Sequence, residues 1–272
     1  MENPRVVPFK FRAYSVPAVV KRVLSFDRLQ KIGIIFVHAY LVKRIFHALI
    51  IERFFTDVHA GFRGMDSGGR MVYIVMEKNE IRKKVSSLVC AMDDSEKRLS
   101  SKKVCEKILS LGEYISADFV LSYMPMKNEI DVTAVSMSAL SDGKKLFLPR
   151  TENSGNGMDF YFIDAGKSLD SQIKTGRWNI MEPESFCEKL DFEILYGKKI
   201  FMLVPGVAFS ESGRRLGHGM GFYDIYVSRL KKIAAEKKAS LCLVGVAFPC
   251  QIDRSVDQVS KDHDLSVDFL VC

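Results

Sequence analysis

Hydrophobic positions along the chain change their period several times, and the changes predict alternating helices and strands. From Glu77 to Met92 the apolar residues Ile81, Val85, Leu88 and Val89 recur at helical spacing, which predicts an amphipathic helix. A second helix is expected from Ser95, with Val104, Ile108 and Leu111 on its apolar face and Gly112 ending it. Residues 118–123 read as a short β-rich strand, 131–140 as a helix, and 145–148 as a strand stopping at Pro149. A strand at 159–163, an irregular stretch over 164–193, a strand at 200–204 and a glycine-rich loop follow. A helix over 222–238 and strands at 241–247 and 267–271 complete the pattern. Apolar strands alternating with helices imply an α/β fold: a mostly parallel, doubly wound sheet with helices on both faces in three layers. Ligands of such sheets sit at the carboxyl ends of the strands.

The first 75 residues do not follow this rhythm. The segment over 32–51 is long enough for a membrane span, but Lys43 and Arg44 lie inside it with His38 and His47, so a stable span is not expected. Residues 1–75 hold twelve Lys/Arg against five Asp/Glu, whereas residues 76–272 hold twenty-eight of each. The formal net charge of +7 therefore resides in an N-terminal extension outside a charge-balanced domain spanning 76–272. Three readings fit the extension: a basic targeting segment, an interfacial amphipathic helix, or sequence upstream of a start at Met71 or Met76. Glycines 61, 64, 68 and 69 suit a boundary between the two parts. Six cysteines show no C-x-x-C pair and no histidine at metal-ligand spacing, which favours free thiols in a reducing compartment over a zinc site or disulfide framework. A cytoplasmic protein is expected, organellar if residues 1–75 are a targeting segment. Without a basic patch on the domain, nucleic acid is not an expected partner.

Chemistry concentrates in residues 203–224, LVPGVAFSESGRRLGHGMGFYD. This segment leaves an apolar strand at Pro205, carries Gly213, Gly217, Gly219 and Gly221, and enters a helix near Phe222. Its amides and the helix N-terminus can thus converge on an anion. Arg214 and Arg215 are available to neutralise a phosphoryl group, and Asp224 to hold a divalent cation that bridges phosphate oxygens. The spacing is neither G-x-x-x-x-G-K-[ST] nor G-x-G-x-x-G. By itself the loop is equally a tight turn with solvated arginines.

The pattern P-G-V-A-F-x-x-x-G-x-R-L-G-x-G-x-G-F-Y-D in this loop resembles the signature of the 5-formyltetrahydrofolate cyclo-ligase family, also called 5,10-methenyltetrahydrofolate synthetases. Further blocks agree in order: KNEIR at 78–82, YMPMKNEID at 123–131, GKKLFLPR at 143–150, WNIMEP at 178–183 and HDLSVD at 263–268. The resemblance covers residues 76–272. It implies an enzyme that converts 5-formyltetrahydrofolate and MgATP into 5,10-methenyltetrahydrofolate, ADP and phosphate. A formamide oxygen is a poor leaving group, so phosphorylating it precedes attack by N10 and departure of phosphate.

By matching position, the resemblance implies that Lys78 and Arg82 contact the nucleotide and that Arg150 and Arg215 act on its phosphates as catalytic cations. The backbone over Leu216, Gly217, His218, Gly219, Met220, Gly221, Phe222 and Tyr223 would wrap the triphosphate. Asp224, also catalytic, would hold Mg²⁺ with Asp264 as second acidic partner. Met124, Glu129 and His218 would face the folate. Met220 stands where the family commonly has Gly or Lys, and Phe222 where Tyr is usual. Taken without the resemblance, Lys78 and Arg82 suit a solvated helix face better than a site, Glu129 a helix N-terminal charge, Asp264 a turn and Arg150 a strand end. His263 and Trp178 read as structural. A monomer is expected. Rival readings are a catalytically silent homologue that binds folate, nucleotide or RNA, and a small-molecule kinase on a similar sheet.

Overall fold

Strands buried on both faces need continuous apolar runs, and FVL, KLFLPRT, KIFMLVP and SLCLVGV supply them at the centre of the sheet. The computed structural model describes residues 62–65, 71–73, 77–152, 157–261 and 264–272. The chain divides into two units between Val75 and Met76. In the first, β1 (Phe62–Met65) pairs antiparallel with β2 (Met71–Tyr73). The segment over 32–51, His263 and the side chain of Trp178 lie outside what is described.

The second unit runs α1 (Lys78–Ala91), α2 (Asp94–Leu109), α3 (Gly112–Ile115), β3 (Phe119–Leu121), α4 (Thr133–Ser141), β4 (Lys145–Thr151), β5 (Met158–Ile163), β6 (Ile173–Thr175), β7 (Met181–Pro183), β8 (Lys199–Pro205), β9 (Ala208–Phe209), β10 (Arg215–Leu216), α5 (Phe222–Glu236), β11 (Ser240–Val246), α6 (Ser255–Val259) and β12 (Phe269–Val271). Six strands form the main sheet in the order β12-β11-β8-β3-β4-β5. All neighbours are parallel except β4 and β5, which pair antiparallel from Leu146–Ile163 to Thr151–Met158. The mostly parallel α/β sheet expected from the sequence is thus present.

Alternate strand residues feed two cores. Val120, Leu146, Phe201 and Val244 meet α2 and α4 through Val104, Ile108 and Val135. Phe119, Phe147, Met202 and Leu243 meet α5 through Tyr226, Val227 and Leu230 on the opposite side. The chain builds β4 and β5 to one side of β3 and β8, β11 and β12 to the other, so the topological switch point falls between β3 and β8.

Local differences from the sequence reading have physical causes. Leu88 is 46% exposed, because α1 buries only Ile81 and Val85 against Val207, Ala208, Leu216 and Val256, and Val89 against the core of the main sheet. Gly112 opens the one-turn α3 instead of merely ending α2. β4 continues through Pro149, which pairs with Phe160. The stretch over 164–193 contains the small antiparallel pair β6–β7, and the glycine-rich loop contains the hairpin β9–β10. Among the described residues no helix is long and apolar enough to cross a membrane.

Candidate active site

At the switch point the carboxyl ends of β3, β4 and β8 open into a cavity of about 460 Å³, a size suited to a small-molecule ligand. Three segments make its polar wall.

The first is the chain leaving β8. Val207 donates to the Leu216 carbonyl (2.8 Å) and Ser210 to that of Arg214 (3.0 Å), which closes the β9–β10 hairpin, and Gly213 turns its tip with φ +84°. A side chain is excluded at Gly213, where a Cβ would stand 2.6 Å from the Val267 carbonyl. Gln251, itself buried, clamps the base of the hairpin: its Nε2 donates to the carbonyls of Gly206 (2.8 Å) and Val207 (3.0 Å), and its Oε1 accepts the Phe248 amide (2.7 Å). Arg215 then points back beneath the hairpin. It is 6% exposed, donates from Nε to the Pro205 carbonyl (2.8 Å), and lies 3.5 Å from Asp224 Oδ2 and 5.1 Å from the Tyr223 ring centre. Burial pulls its pKa down, and the Asp224 carboxylate works against that shift.

The second segment is the entry to α5. Gly221 precedes the helix in the left-handed region (φ +72°) with no side-chain cap, and residues 221–224 line the cavity. The first-turn amides of α5 therefore face it. Asp224 Oδ1 accepts the Leu265 amide (3.0 Å), which brings in the C-terminal strap. There Asp264 holds Lys78 Nζ at 2.6 Å and accepts the Lys261 amide. Arg82, one turn on from Lys78, donates to the Gly217 carbonyl (2.8 Å) and to Asn79. Its guanidinium also lies under Gly219. Partial burial, then Arg215 and Arg82, lower the pKa of His218 and favour neutral imidazole.

The third segment joins β3 to α4. Lys97 to Asn128, Ser101 to the Asp131 amide and Tyr123 to the Ile130 carbonyl hold it against α2 and β3. Within it Glu129 accepts the Met126 amide (3.0 Å). Burial pushes the Glu129 carboxyl up to about 7, and the Met126 amide and Arg215 only partly offset this.

Of the residues singled out from the sequence, Met124, Glu129, Arg215, Gly217, His218, Met220, Gly221, Phe222, Tyr223 and Asp224 line this one cavity. Lys78, Arg82 and Asp264 stand behind the hairpin in the contacts above. Arg150 is not brought to the cavity: it stacks on Tyr161 at 3.6 Å and donates to the carbonyls of Pro183 and Glu184. Arg214 likewise bridges to Ser266 while Arg215 alone of the pair turns inward. Sequence reasoning gave no site role to another part of the wall, made by Met126, Met158 and the β6–β7 segment with Arg177, Ile180 and Met181, although Met126, Ile180 and Met181 fall within the matched blocks. No phosphate or metal motif runs through those positions, and only the fold brings them to the cavity. Among the described residues no cluster of three His, Cys, Asp or Glu could hold a metal ion unaided.

The comparisons give the family. The 5-formyltetrahydrofolate cyclo-ligase family profile matches residues 74–272. A probable 5-formyltetrahydrofolate cyclo-ligase of Schizosaccharomyces pombe is 28% identical over 200 residues, covering 70% of this chain and 93% of its own. The 5-formyltetrahydrofolate cyclo-ligase of Mus musculus is 25% identical over 192 residues, covering 70% and 91%. The solved structure of the Aquifex aeolicus 5,10-methenyltetrahydrofolate synthetase superposes with a TM-score of 0.56 at 33% identity, covering 72% of this chain and 89% of that one. With a matching profile over most of its length and a site assembled from the signature residues, the chain belongs to the 5-formyltetrahydrofolate cyclo-ligase family.

Proposed function

We propose that this protein closes the imidazoline ring of 5-formyltetrahydrofolate, using MgATP and releasing 5,10-methenyltetrahydrofolate, ADP and phosphate. One observation carries the reading: a buried guanidinium, an uncapped helix N-terminus and a carboxyl tuned to about 7 share a single cavity. The first two suit a phosphoryl group and the third a pterin.

The donor set fits a nucleotide. Arg215 and the α5 amides supply fixed positive potential where negative charge accumulates in phosphoryl transfer, and Lys78 and Arg82 extend it behind the hairpin. Asp224, which lines the cavity, would hold a magnesium ion, with Asp264, paired here with Lys78, as the second acidic partner; the ion would neutralise charge on the transferring phosphoryl group. ATP supplies the phosphoryl group that turns the formyl oxygen into a leaving group. The protein's own part is positioning. Glu129 accepts hydrogen bonds from the amide-like edge of the pterin, the methionine-rich wall excludes water, and Arg215 meets the charge at the formyl oxygen. Tyr123 and Tyr223 add flat apolar surface beside Glu129. Arg150, given its stacking on Tyr161, acts by fixing the end of β7 rather than by touching phosphate.

We assign this activity to residues 76–272 and place residues 1–75 outside it. A monomer acting on a small molecule, without nucleic acid, is part of the same reading, and the described lining of the cavity falls within that span. A cytoplasmic location, or an organellar one directed by residues 1–75, remains part of the proposal. Growth of the methenyltetrahydrofolate absorbance from 5-formyltetrahydrofolate and MgATP tests the reaction. Growth that requires ATP and collapses in Asp224→Asn supports it, and a folded protein that binds ATP without producing the band refutes it.

A further inference from the structure

We propose that Arg177 binds the glutamate carboxylates of the folate, so that the β6–β7 pair selects substrates by their anionic tail. The inference rests on the folate reading above and extends it to the opposite end of the ligand. If Glu129 takes the pterin edge, the p-aminobenzoyl-glutamate must lie along the rest of the cavity, and its dianion needs a cation there. Two arginines line the cavity. Arg215 is buried and faces Asp224, at the phosphoryl end. Arg177 is exposed and sits on the turn between β6 and β7, a segment that also brings Ile180 and Met181 to the wall.

The turn is built to hold this position. Gly176 donates to the Ile180 carbonyl (2.8 Å) and Ile180 to that of Arg177 (3.1 Å), while Asn179 adopts the left-handed conformation (φ +60°). The Glu182 carboxylate accepts from the Thr151 amide and hydroxyl at the end of β4. It also lies where a Cβ on Gly176 would fall. The Arg177 guanidinium donates to the Glu152 carbonyl (3.3 Å), which steadies it beside Thr151, another wall residue. A planar guanidinium with five N–H donors matches a carboxylate in paired fashion, and Ile180 and Met181 supply apolar surface for the benzoyl ring between the two charged ends.

Steady-state kinetics of the full chain on two substrates test the assignment: 5-formyltetrahydrofolate and its 5-formyltetrahydropteroate analogue, which lacks the glutamate. Arg177→Ala is expected to raise KM for the folate about tenfold, with kcat little changed and less than a twofold KM change for the pteroate. Arg177→Lys should recover part of the folate KM, because charge survives without the planar fork. An equal KM change for both substrates, or none for either, overturns the role of Arg177. If the unmodified chain converts neither substrate, the cyclo-ligase reading itself falls, an outcome distinct from the loss of discrimination.

Discussion

Asp224 holds one carboxylate oxygen 3.5 Å from the Arg215 guanidinium and gives the other to the Leu265 amide at 3.0 Å. A single side chain thus couples the hairpin, the start of α5 and the C-terminal strap. Asp224→Asn keeps an oxygen for Leu265 but removes the counter-charge of a cation that is 6% exposed. Because water reaches Asp224, the stability loss is expected to be about 1–3 kcal/mol rather than the full cost of orphaning a deeply buried charge. Activity should fall on the order of a hundredfold or more, since phosphoryl transfer depends on fixed charge. Thermal melts beside methenyltetrahydrofolate assays separate the two effects.

Glu129 predicts a pH signature. Its carboxyl is raised from 4.5 to about 7, so the folded protein retains a proton that the unfolded chain has already released between those values. Stability therefore declines as pH rises through this window and levels off above it. The ionised form is the acceptor for pterin donors, so kcat/KM for the folate should rise through about pH 7 to a plateau. Glu129→Gln is expected to flatten both curves. Urea titrations at pH 5 and 8, paired with a kcat/KM profile, check the claim, and a variant that keeps the wild-type limb would reassign it to another group.

Much of this was legible in the sequence because period-two and period-3.6 patterns are written by burial, and burial here is regular. β3, β8 and β11 read as strands from their apolar runs, and the glycines around Arg215 mark a segment where backbone must turn sharply. Apart from the family signature, which picks out Arg215, nothing in the loop's sequence separates Arg214 from Arg215. Which of two adjacent arginines turns inward follows from the β9–β10 register, where Arg215 pairs with Phe209, and a two-residue strand leaves too little pattern to read. Arg150 shows the converse limit, since a residue at the end of a strand near the site still turns to Tyr161 and the β7 carbonyls. Ile180 and Met181, though inside the matched WNIMEP block, and Arg177 beside it were given no site role, because their path to the cavity depends on a short antiparallel pair inside an irregular stretch.

Gly217 and Gly213 exclude a side chain for different reasons. The φ of Gly217 lies outside the left-handed region, but a Cβ there would stand 2.8–2.9 Å from the two terminal nitrogens of Arg215. The guanidinium cannot yield cheaply, because Nε is tied to the Pro205 carbonyl and the whole group is enclosed. Gly217→Ala should therefore cost activity, about tenfold or more, and also lower Tm, since an enclosed, hydrogen-bonded guanidinium has to shift. Gly213→Ala should lower the melting temperature further, because its Cβ meets backbone, the Val267 carbonyl, at φ +84°.

Gln251 has no place in the reaction, yet the hairpin depends on it. Its amide satisfies the carbonyls of Gly206 and Val207 and the amide of Phe248, all at buried positions where water cannot substitute. Gln251→Ala leaves these groups without that partner, and each buried polar group so stranded costs about 1–3 kcal/mol. Pro205, whose carbonyl orients Arg215, is the residue immediately before this clamp, so loosening it should disturb the guanidinium too. The expected outcome is a Tm lowered by several degrees together with a reduced kcat. Gln251→Glu tests the geometry more sharply. It keeps the acceptor for Phe248 but sets a carboxylate against two carbonyls, so stability should recover as pH falls and the acid gains a proton to donate. A Gln251→Glu protein whose stability changes between pH 5 and 8 no more than that of the wild type, which carries the Glu129 slope, would show that the clamp is not held by these bonds.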